Sequence, residues 1–223
     1  MLPIEVIPVN LGIVNAYIVK QDGVILIDTG YPKSEDAILR TMQGAGIRPG
    51  DLRLILVTHG HGDHAGSAAR LREMTGARVA VHKNDAGMLR AGKQGELKAT
   101  GITGKVFGIF LGGEKKSRYP ALEPDILVSE TLDLEAFGVR GKAVAMPGHS
   151  AGSISVILEN GDAFTGDLIF PSIPLGKPCL PFWADDPAEV YASVRKLLAY
   201  QPKIMYPGHG GPFSADAVRQ MTG

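Results

Sequence analysis

A continuous apolar run that leads into a histidine-rich loop, LRLILVTHGHGDHAG at residues 52–66, constrains the fold of this chain more than any other stretch. An apolar run without polar alternation predicts a strand that is buried on both faces, as in a sheet covered by helices. Three of the six histidines then fall within residues 58–66, together with Asp63. Imidazole and carboxylate groups at this density, between glycines that let the backbone turn sharply, predict a metal site.

The spacing within this loop indicates ligands for more than one ion. His59 and His61 are two residues apart just after the predicted strand, so an extended backbone places both rings on one side. Asp63 and His64 are adjacent and point in different directions, which suits a second ion. The alternative is a polar turn between a strand and a helix in which Asp63 caps the helix. That alternative leaves the clustered histidines unexplained.

Three candidate ligands from the second half of the chain would complete the site. His149 lies in AMPGHSAGS and His209 in MYPGHGG, each after a predicted strand. Asp167 lies in FTGDLIF, where a carboxylate within an apolar run is costly unless it is paired or bound to a metal. These positions follow predicted strands, where sheet proteins carry their functional loops.

The rest of the chain alternates short predicted strands with helices. The first 28 residues read as strands, and the stretch DILVSETLDL resumes strand patterning after a break in the rhythm. We expect Ser34 and Asn84 to cap two of the helices. Strands and helices in both halves predict two sheets packed together with helices outside. The predicted helices span residues 34–46, 64–76, 84–92, 186–200 and 214–221.

Residues 92–123 interrupt the pattern within what we expect to be a single domain over residues 1–223. Long, weakly patterned insertions in a compact domain are usually functional or disordered. This one is glycine-rich, leans basic and holds an apolar run at 106–111. It would serve as a lid with an apolar wall, as a homodimer interface, or as packing on the core. As a lid it would bring Lys115, Lys116 and Arg118 toward a carboxylate or a membrane surface, and Tyr119 toward an oxyanion.

The composition excludes several classes of partner. Lys+Arg and Asp+Glu both number 23, so no charge imbalance favours nucleic acid or an anionic membrane. The N-terminal stretch MLPIEVIPVN has no basic region and no long apolar run, which predicts neither a signal peptide nor stable membrane insertion. The single cysteine, Cys179, suits a reducing compartment. We therefore expect a cytoplasmic protein with a small-molecule substrate, and structural roles for Cys179 and His82.

THGHGDH, followed in order by His149, Asp167 and His209, resembles the motif of the metallo-β-lactamase superfamily. The resemblance runs from LIDTG at 26–30 to PGHG at 207–210. It implies an α+β fold, a four-layer αββα sandwich of two mixed β-sheets flanked by helices, with the site at one edge of both sheets. It also implies that Asp28 supports the ligand loop. The implied ligands are His59, His61 and His149 for the first ion, Asp63, His64 and His209 for the second, and Asp167 as a bridge between both.

Such a ligand set without thiolates suits two Zn²⁺ ions per chain and also tolerates iron or manganese. Two ions that share a water lower its pKa toward about 7, which yields a bridging hydroxide at neutral pH. Asp63 would be the catalytic residue, because it would both hold an ion and orient this nucleophile. The sequence thus predicts a dinuclear metal-dependent hydrolase of a small thioester, lactone or related ester.

Within the superfamily, the resemblance is nearest to the short glyoxalase II-like and lactonase-like branches. Asp167 is typically missing from true β-lactamases, which also carry an export signal. The short glyoxalase II-like proteins usually have a Gly-Arg step after the bridging aspartate, where this chain has Gly176-Lys177. Lys177 would meet an anionic substrate or be a solvated loop residue. The alternatives are a mononuclear iron sulfur-dioxygenase-like oxidoreductase, a β-lactamase-like amide hydrolase, or a binding protein with little turnover.

Overall fold

The computed structural model describes residues 2–96, 98–100 and 118–222. The helices in that part of the chain are α1 (Glu35–Gly44), α2 (Gly62–Ala65), α3 (Ala68–Thr75), α4 (Ala86–Ala91), α5 (Pro187–Ala199) and α6 (Ala215–Thr222). The strands are β1 (Glu5–Asn10), β2 (Asn15–Lys20), β3 (Val24–Ile27), β4 (Leu52–Leu56), β5 (Arg78–His82), β6 (Ile126–Val128), β7 (Thr131–Asp133), β8 (Gly141–Ala145), β9 (Ile154–Leu158), β10 (Asp162–Gly166), β11 (Phe170–Pro171), β12 (Pro178–Cys179), β13 (Ile204–Pro207) and β14 (Phe213–Ser214).

Two mixed sheets of six strands each form the centre of the molecule. The first has the order β1-β2-β3-β4-β5-β6, antiparallel from β1 to β3 and parallel from β3 to β6. The second has the order β14-β13-β10-β9-β8-β7, and β10 and β13 are its parallel pair. Strands β11 and β12 form a small separate hairpin.

Strand β4 shows how the layers pack. Ile55 lies in one buried cluster with Leu71 of α3, whereas Leu54 lies in another with Phe164 of the second sheet. A side chain of this size gains about 1.5–3 kcal/mol when it is fully buried. A third cluster packs α5 and α6 against the outer face of the second sheet, for example through Val194. The layers are therefore αββα, and the predicted fold class is confirmed.

The predicted helix over 64–76 is wrong at its start, because α2 and α3 are separate. The break falls at Gly66 and Ser67, where the Gly30–Pro32 loop packs closely against the backbone. The Gly66 N–H donates to the Gly30 carbonyl, and a Cβ on Gly66 would overlap Pro32. The Ser67 hydroxyl donates to the carbonyl of Tyr31 at 2.8 Å. A helical backbone cannot continue while these groups bind another loop.

Three further expectations are corrected by the fold. DILVSETLDL is divided between β6 of the first sheet and β7 of the second, so this stretch carries the chain from one sheet to the other. Helix α4 begins after Asp85 instead of Asn84, and the Asp85 side chain makes no cap hydrogen bond. Ser34 precedes α1 as expected, but its side chain does not cap that helix.

The 92–123 segment is described at its two ends and over residues 98–100. Lys93 and Arg118 form a β-bridge where the segment leaves and rejoins the core. The apolar run 106–111, Lys115 and Lys116 lie outside the described residues, so the lid and homodimer expectations remain predictions. None of the helices in the described part of the chain is long and apolar enough to cross a bilayer.

Candidate metal centre

The seven predicted ligands meet at one edge of the two sheets, after the ends of four strands. After β4 of the first sheet come His59 and His61 in a loop and then Asp63 and His64 in α2. The ligands from the second sheet are His149 after β8, Asp167 after β10 and His209 after β13. Their ligand atoms form three overlapping groups within 4.8 Å: His59, His61 and His149; His59, His64 and Asp167; and Asp63, His64 and His209.

The first group, His59, His61 and His149, is a compact triad of ring nitrogens. The Nδ1 atom of His61 lies 3.0 Å from His59 Nε2 and 3.1 Å from His149 Nε2. Two nitrogens bound to one tetrahedral zinc ion at about 2.0–2.1 Å lie roughly 3.3 Å apart. The spacing of this triad is therefore close to what a single ion requires.

Asp167 lies between this triad and the second group. Its Oδ2 atom is 3.6 Å from His149 Nε2 and 3.4 Å from His209 Nε2, and its Oδ1 atom is 3.2 Å from His64 Nε2. Asp63 closes the second group, with its Oδ2 atom 3.4 Å from His209 Nε2. The carboxylate of Asp167 thus faces both groups, as a bridging ligand must.

Three of the histidines have their outer nitrogen bound to an acceptor. The Nδ1 atom of His64 lies 2.8 Å from Asp28 Oδ2, that of His149 lies 2.7 Å from the Trp183 carbonyl, and that of His209 lies 2.6 Å from the Ile13 carbonyl. Because a carbonyl only accepts, Nδ1 of the latter two rings carries the proton. The Nε2 atoms face the site and can bind a metal when the ring is neutral, an arrangement characteristic of metal-bound histidine.

Buried polar atoms at the centre of the site fit a metal. His64 Nε2 and Asp167 Oδ1 are buried and lie 3.2 Å from each other, and within the described residues neither has another hydrogen-bond partner. Unsatisfied buried groups of this kind are costly and call for an explanation such as an ion. A Cβ at Gly208 would overlap both of these side chains, so the backbone must pass close to them without a side chain. The residues therefore fit a bound metal, although their assignment to two ions stays a prediction.

Without a bound ion the two groups titrate differently. Burial lowers the pKa of His61 to about 3, and burial likewise lowers the pKa of His59 and His149, so these three rings are neutral at pH 7. Burial also lowers the pKa of His209, but the nearby carboxylates, Asp167 foremost, outweigh it and raise the pKa to about 10. The triad can therefore bind a cation without losing a proton, whereas His209 must first lose a proton.

Asp28 supports the ligand loop, as the resemblance implied. Its carboxylate accepts from the Thr58 N–H at 2.7 Å and from the Thr58 hydroxyl at 2.8 Å, besides contacting His64. Burial alone would lower the pKa of His64, but Asp167 and then Asp28 raise it above the usual range. Asp28 holds this role with a left-handed backbone, at φ 61°.

Asp85 is a residue of the site that the sequence analysis missed. It is buried at the start of α4, and its Oδ2 atom accepts from the Gly60 N–H at 2.8 Å and from the Ser150 hydroxyl at 2.8 Å. One carboxylate thereby joins the loop of His59 and His61 to the loop of His149. A Cβ at Gly152 would overlap it, so the glycine there leaves room for the carboxylate.

The remaining candidates lie away from the ligands. His82 Nε2 contacts the Ser129 carbonyl at 2.6 Å and its Nδ1 accepts from the Asn84 N–H, so the expected structural role is confirmed. The Tyr119 hydroxyl donates to the Gly60 carbonyl at 2.7 Å, so the expectation that it meets an oxyanion is wrong for this structure. Lys177 is exposed on the β11–β12 hairpin and is not among the described residues that line the cavity. Burial raises the pKa of the half-buried Cys179 thiol, which makes it a weaker nucleophile.

A cavity of about 460 Å³ opens onto the ligands. Asp63, Asp167 and His209 line its floor, and Asp63 is the more exposed of the two carboxylates, at 19% of its side chain against 5%. Most of the other described lining residues are apolar or aromatic. This size is typical of a site for a small molecule.

Comparisons with known proteins agree with this geometry. Hydroxyacylglutathione hydrolase (glyoxalase II) of Acidiphilium cryptum is 28% identical over 179 residues, which cover 80% of this chain and 57% of that protein. The probable metallo-hydrolase MJ0888 of Methanocaldococcus jannaschii is 28% identical over 200 residues, covering 88% of this chain and 87% of that protein. The chain spans about half the length of several hydroxyacylglutathione hydrolases that it matches.

A solved structure of TTHA1623 in a di-iron-bound form superimposes with a TM-score of 0.70 at 26% identity, covering 96% of this chain and 98% of that one. The predicted likeness to the glyoxalase II-like branch is therefore confirmed, at low identity. The family model described as "Metallo-beta-lactamase superfamily" matches residues 9–209, which include all seven candidate ligands. This match, the αββα layers and the site at the strand ends show that the chain belongs to the metallo-beta-lactamase superfamily.

Proposed function

We propose that this chain is a dinuclear metal-dependent hydrolase that cleaves a small thioester, lactone or related ester. The observation that carries the proposal is Asp167, whose two carboxylate oxygens face a histidine triad on one side and a second group of ligands on the other. Relatives named as hydrolases support hydrolytic chemistry in general.

His59, His61 and His149 would hold one ion, and Asp63, His64 and His209 the other, with Asp167 shared. Bound ions of this type lower the pKa of a coordinated water to about 7 and polarise a carbonyl oxygen. Asp63 lines the cavity, and in this proposal its carboxylate would orient the attacking water. No serine or cysteine nucleophile is required, because water supplies the attacking oxygen.

The identity of the metal is a separate part of the proposal. A site of histidines and carboxylates without thiolates suits zinc, which we take as the resident ion. Iron is the alternative that a specific observation supports, because the similar structure of TTHA1623 is described as di-iron-bound. A chain that holds one iron and acts as an oxidoreductase would instead match the sulfur-dioxygenase-like alternative.

The test combines metal analysis with a substrate panel. We expect close to two equivalents of metal per chain in protein purified without chelator, and hydrolysis of at least one of an S-acyl glutathione, an acyl-CoA, a lactone and a simple thioester. Fewer than about 0.2 equivalents of any transition metal would overturn the proposal, as structural sites of this type bind tightly.

Variants separate the ligands from the remaining histidine. Asp63→Ala and Asp167→Ala should each lower kcat at least about a hundredfold, in line with the loss of a group that stabilises the transition state. His82→Ala, outside the site, should keep kcat within about threefold in its folded fraction, since its contacts are to Ser129 and Asn84. Equal losses in all three variants would contradict the assignment.

A further inference from the structure

We infer that the cavity beside the ligands selects an uncharged, apolar acyl or aryl group, so that the preferred substrates are esters or thioesters of neutral hydrophobic acids. The inference rests on the proposed function and adds the class of substrate to it. It is carried by an aromatic wall and by the charges of the described residues around the cavity.

The wall is formed by Phe170, Phe182 and Trp183, which pack edge to face. The ring centroids of Phe170 and Phe182 are 5.7 Å apart, and those of Phe182 and Trp183 are 6.2 Å apart. Phe170 also lies 5.0 Å from the ring of His209 and 6.4 Å from that of His149. Because these two histidines belong to different ligand groups, the aromatic surface borders both of them. An acyl group held at this wall would lie directly beside the reacting carbonyl.

Aliphatic side chains extend this apolar surface to the mouth of the cavity. Ile173 is 60% exposed and lines the cavity from the β11–β12 hairpin, and Ile13 is 62% exposed on the β1–β2 loop. A large aliphatic side chain beside a site gains free energy when a ligand covers it, at about 25 cal/mol per Å². The mouth therefore favours a substrate chain that extends outward along these residues.

The side chains around the aromatic wall disfavour an acidic acyl group. No lysine or arginine is among the described residues that line it, and the acidic side chains there are Asp63 and Asp167. Apart from the ligands, the described polar side chains that line the cavity are those of Tyr31 and Gln94. The Gln94 side chain already accepts from the Gly62 N–H at 2.9 Å. A substrate carboxylate buried against the aromatic wall away from the metal ligands would have no lysine or arginine partner among these residues, which is costly.

The first experiment measures binding without turnover. Trp183 is the single tryptophan of the chain and stands in the wall, so its fluorescence reports ligands there. We expect neutral n-alkyl methyl ketones of four to ten carbons to change the fluorescence saturably. Kd should fall about fourfold per added methylene, the fold-change equivalent to about 0.8 kcal/mol. No saturable change, or a Kd independent of chain length, would overturn the inference even if no substrate is hydrolysed.

The second experiment measures selectivity in turnover. Thioesters with one leaving group and acyl chains from acetyl to octanoyl should show kcat/KM rising about fourfold per methylene until the cavity is filled. A terminal carboxylate on an acyl chain of equal length should lower kcat/KM at least about tenfold, because its charge would be desolvated without a partner. Equal rates for the charged and neutral chains would overturn the inference while leaving the hydrolase proposal intact.

A matched pair of variants locates the effect. Ile173→Ser should reduce the dependence of both Kd and kcat/KM on chain length. Leu175→Ser is the control, since Leu175 lies in the same loop and is 72% exposed but is not among the described lining residues. If Kd and kcat/KM depended on substrate chain length in Ile173→Ser as they do in the unsubstituted protein, the placement of the substrate chain along this wall would be contradicted.

Discussion

Asp85 shows how a single buried carboxylate can set the geometry of a metal site without binding the metal. It accepts from Gly60 in one ligand loop and from Ser150 in another, which fixes the separation of three histidines that come from different sheets. Burial raises the pKa of Asp85, but the hydrogen bonds that it accepts favour its charged form. We therefore treat it as a positioning residue for the triad.

Asp85→Ala should weaken metal binding at the triad about 10- to 100-fold, the usual effect of removing a group that orients a metal ligand. The Gly60 N–H left without its acceptor should also lower the free energy of unfolding by about 1–3 kcal/mol. The metal affinity is measured by the metal that the protein retains at increasing chelator concentrations. The free energy of unfolding is measured by denaturant unfolding. Lys83→Ala, at an exposed residue two positions before Asp85, serves as the control. If Asp85→Ala lowered the free energy of unfolding but left the metal affinity unchanged, the positioning role would be rejected.

Both ends of the 92–123 segment are attached to the ligand loop by hydrogen bonds. The Gln94 side chain accepts from Gly62, and the Tyr119 hydroxyl donates to Gly60, so both ends hold the same ligand loop. Residues 98–100 pair with the 182–184 stretch through the Thr100 N–H and the Ala184 N–H. That stretch carries the Trp183 carbonyl, which binds His149. The segment is thus attached to both histidine loops.

Tyr119→Phe tests this attachment by removing one hydroxyl. The Gly60 carbonyl would lose its buried donor, which should lower the free energy of unfolding by about 1 kcal/mol. For a chain of this length that corresponds to a fall in Tm of about 2–4 °C. Thermal unfolding with metal bound gives the value. Tyr191→Phe on α5, whose side chain is 40% exposed, should leave Tm within about 1 °C, as most surface substitutions do. Equal Tm values for the two variants would show that the hydroxyl contributes nothing.

On the scale of the whole molecule, the candidate site joins the two sheets. One loop of the first sheet supplies His59 to His64, and three loops of the second supply the other ligands. A ligand that binds only the folded state stabilises it by about 4 kcal/mol at a thousandfold excess over its Kd. Metal bound here would therefore stabilise the contact between the sheets and with it the αββα core.

Metal removal should consequently lower Tm, by roughly 8–16 °C at pH 7 if that stabilisation applies. The difference between metal-bound and chelator-treated protein should shrink as pH falls from 8 to 5. His209, with its pKa raised to about 10, is protonated throughout this range, so a proton must leave when a metal binds. Affinity for that ion then falls about tenfold per pH unit for each proton displaced. Scanning calorimetry at several pH values checks this, and a difference in Tm that grows toward low pH would contradict it.

The sequence by itself predicted the layers, which the fold confirms, and the seven candidate ligands, which the structure brings together. Strand and helix patterns recur locally, and each candidate ligand directly follows a strand, so HGHGDH with His149, Asp167 and His209 could be read without coordinates. The sequence did not predict three features: the link that Asp85 makes between two ligand loops, the break before α3, and the aromatic wall formed by residues 170–183. These depend on contacts between residues that are distant in the chain, such as Asp85 with Ser150 or Trp183 with His149. Such contacts leave no periodic pattern in the sequence, so only the packing of the two sheets decides them.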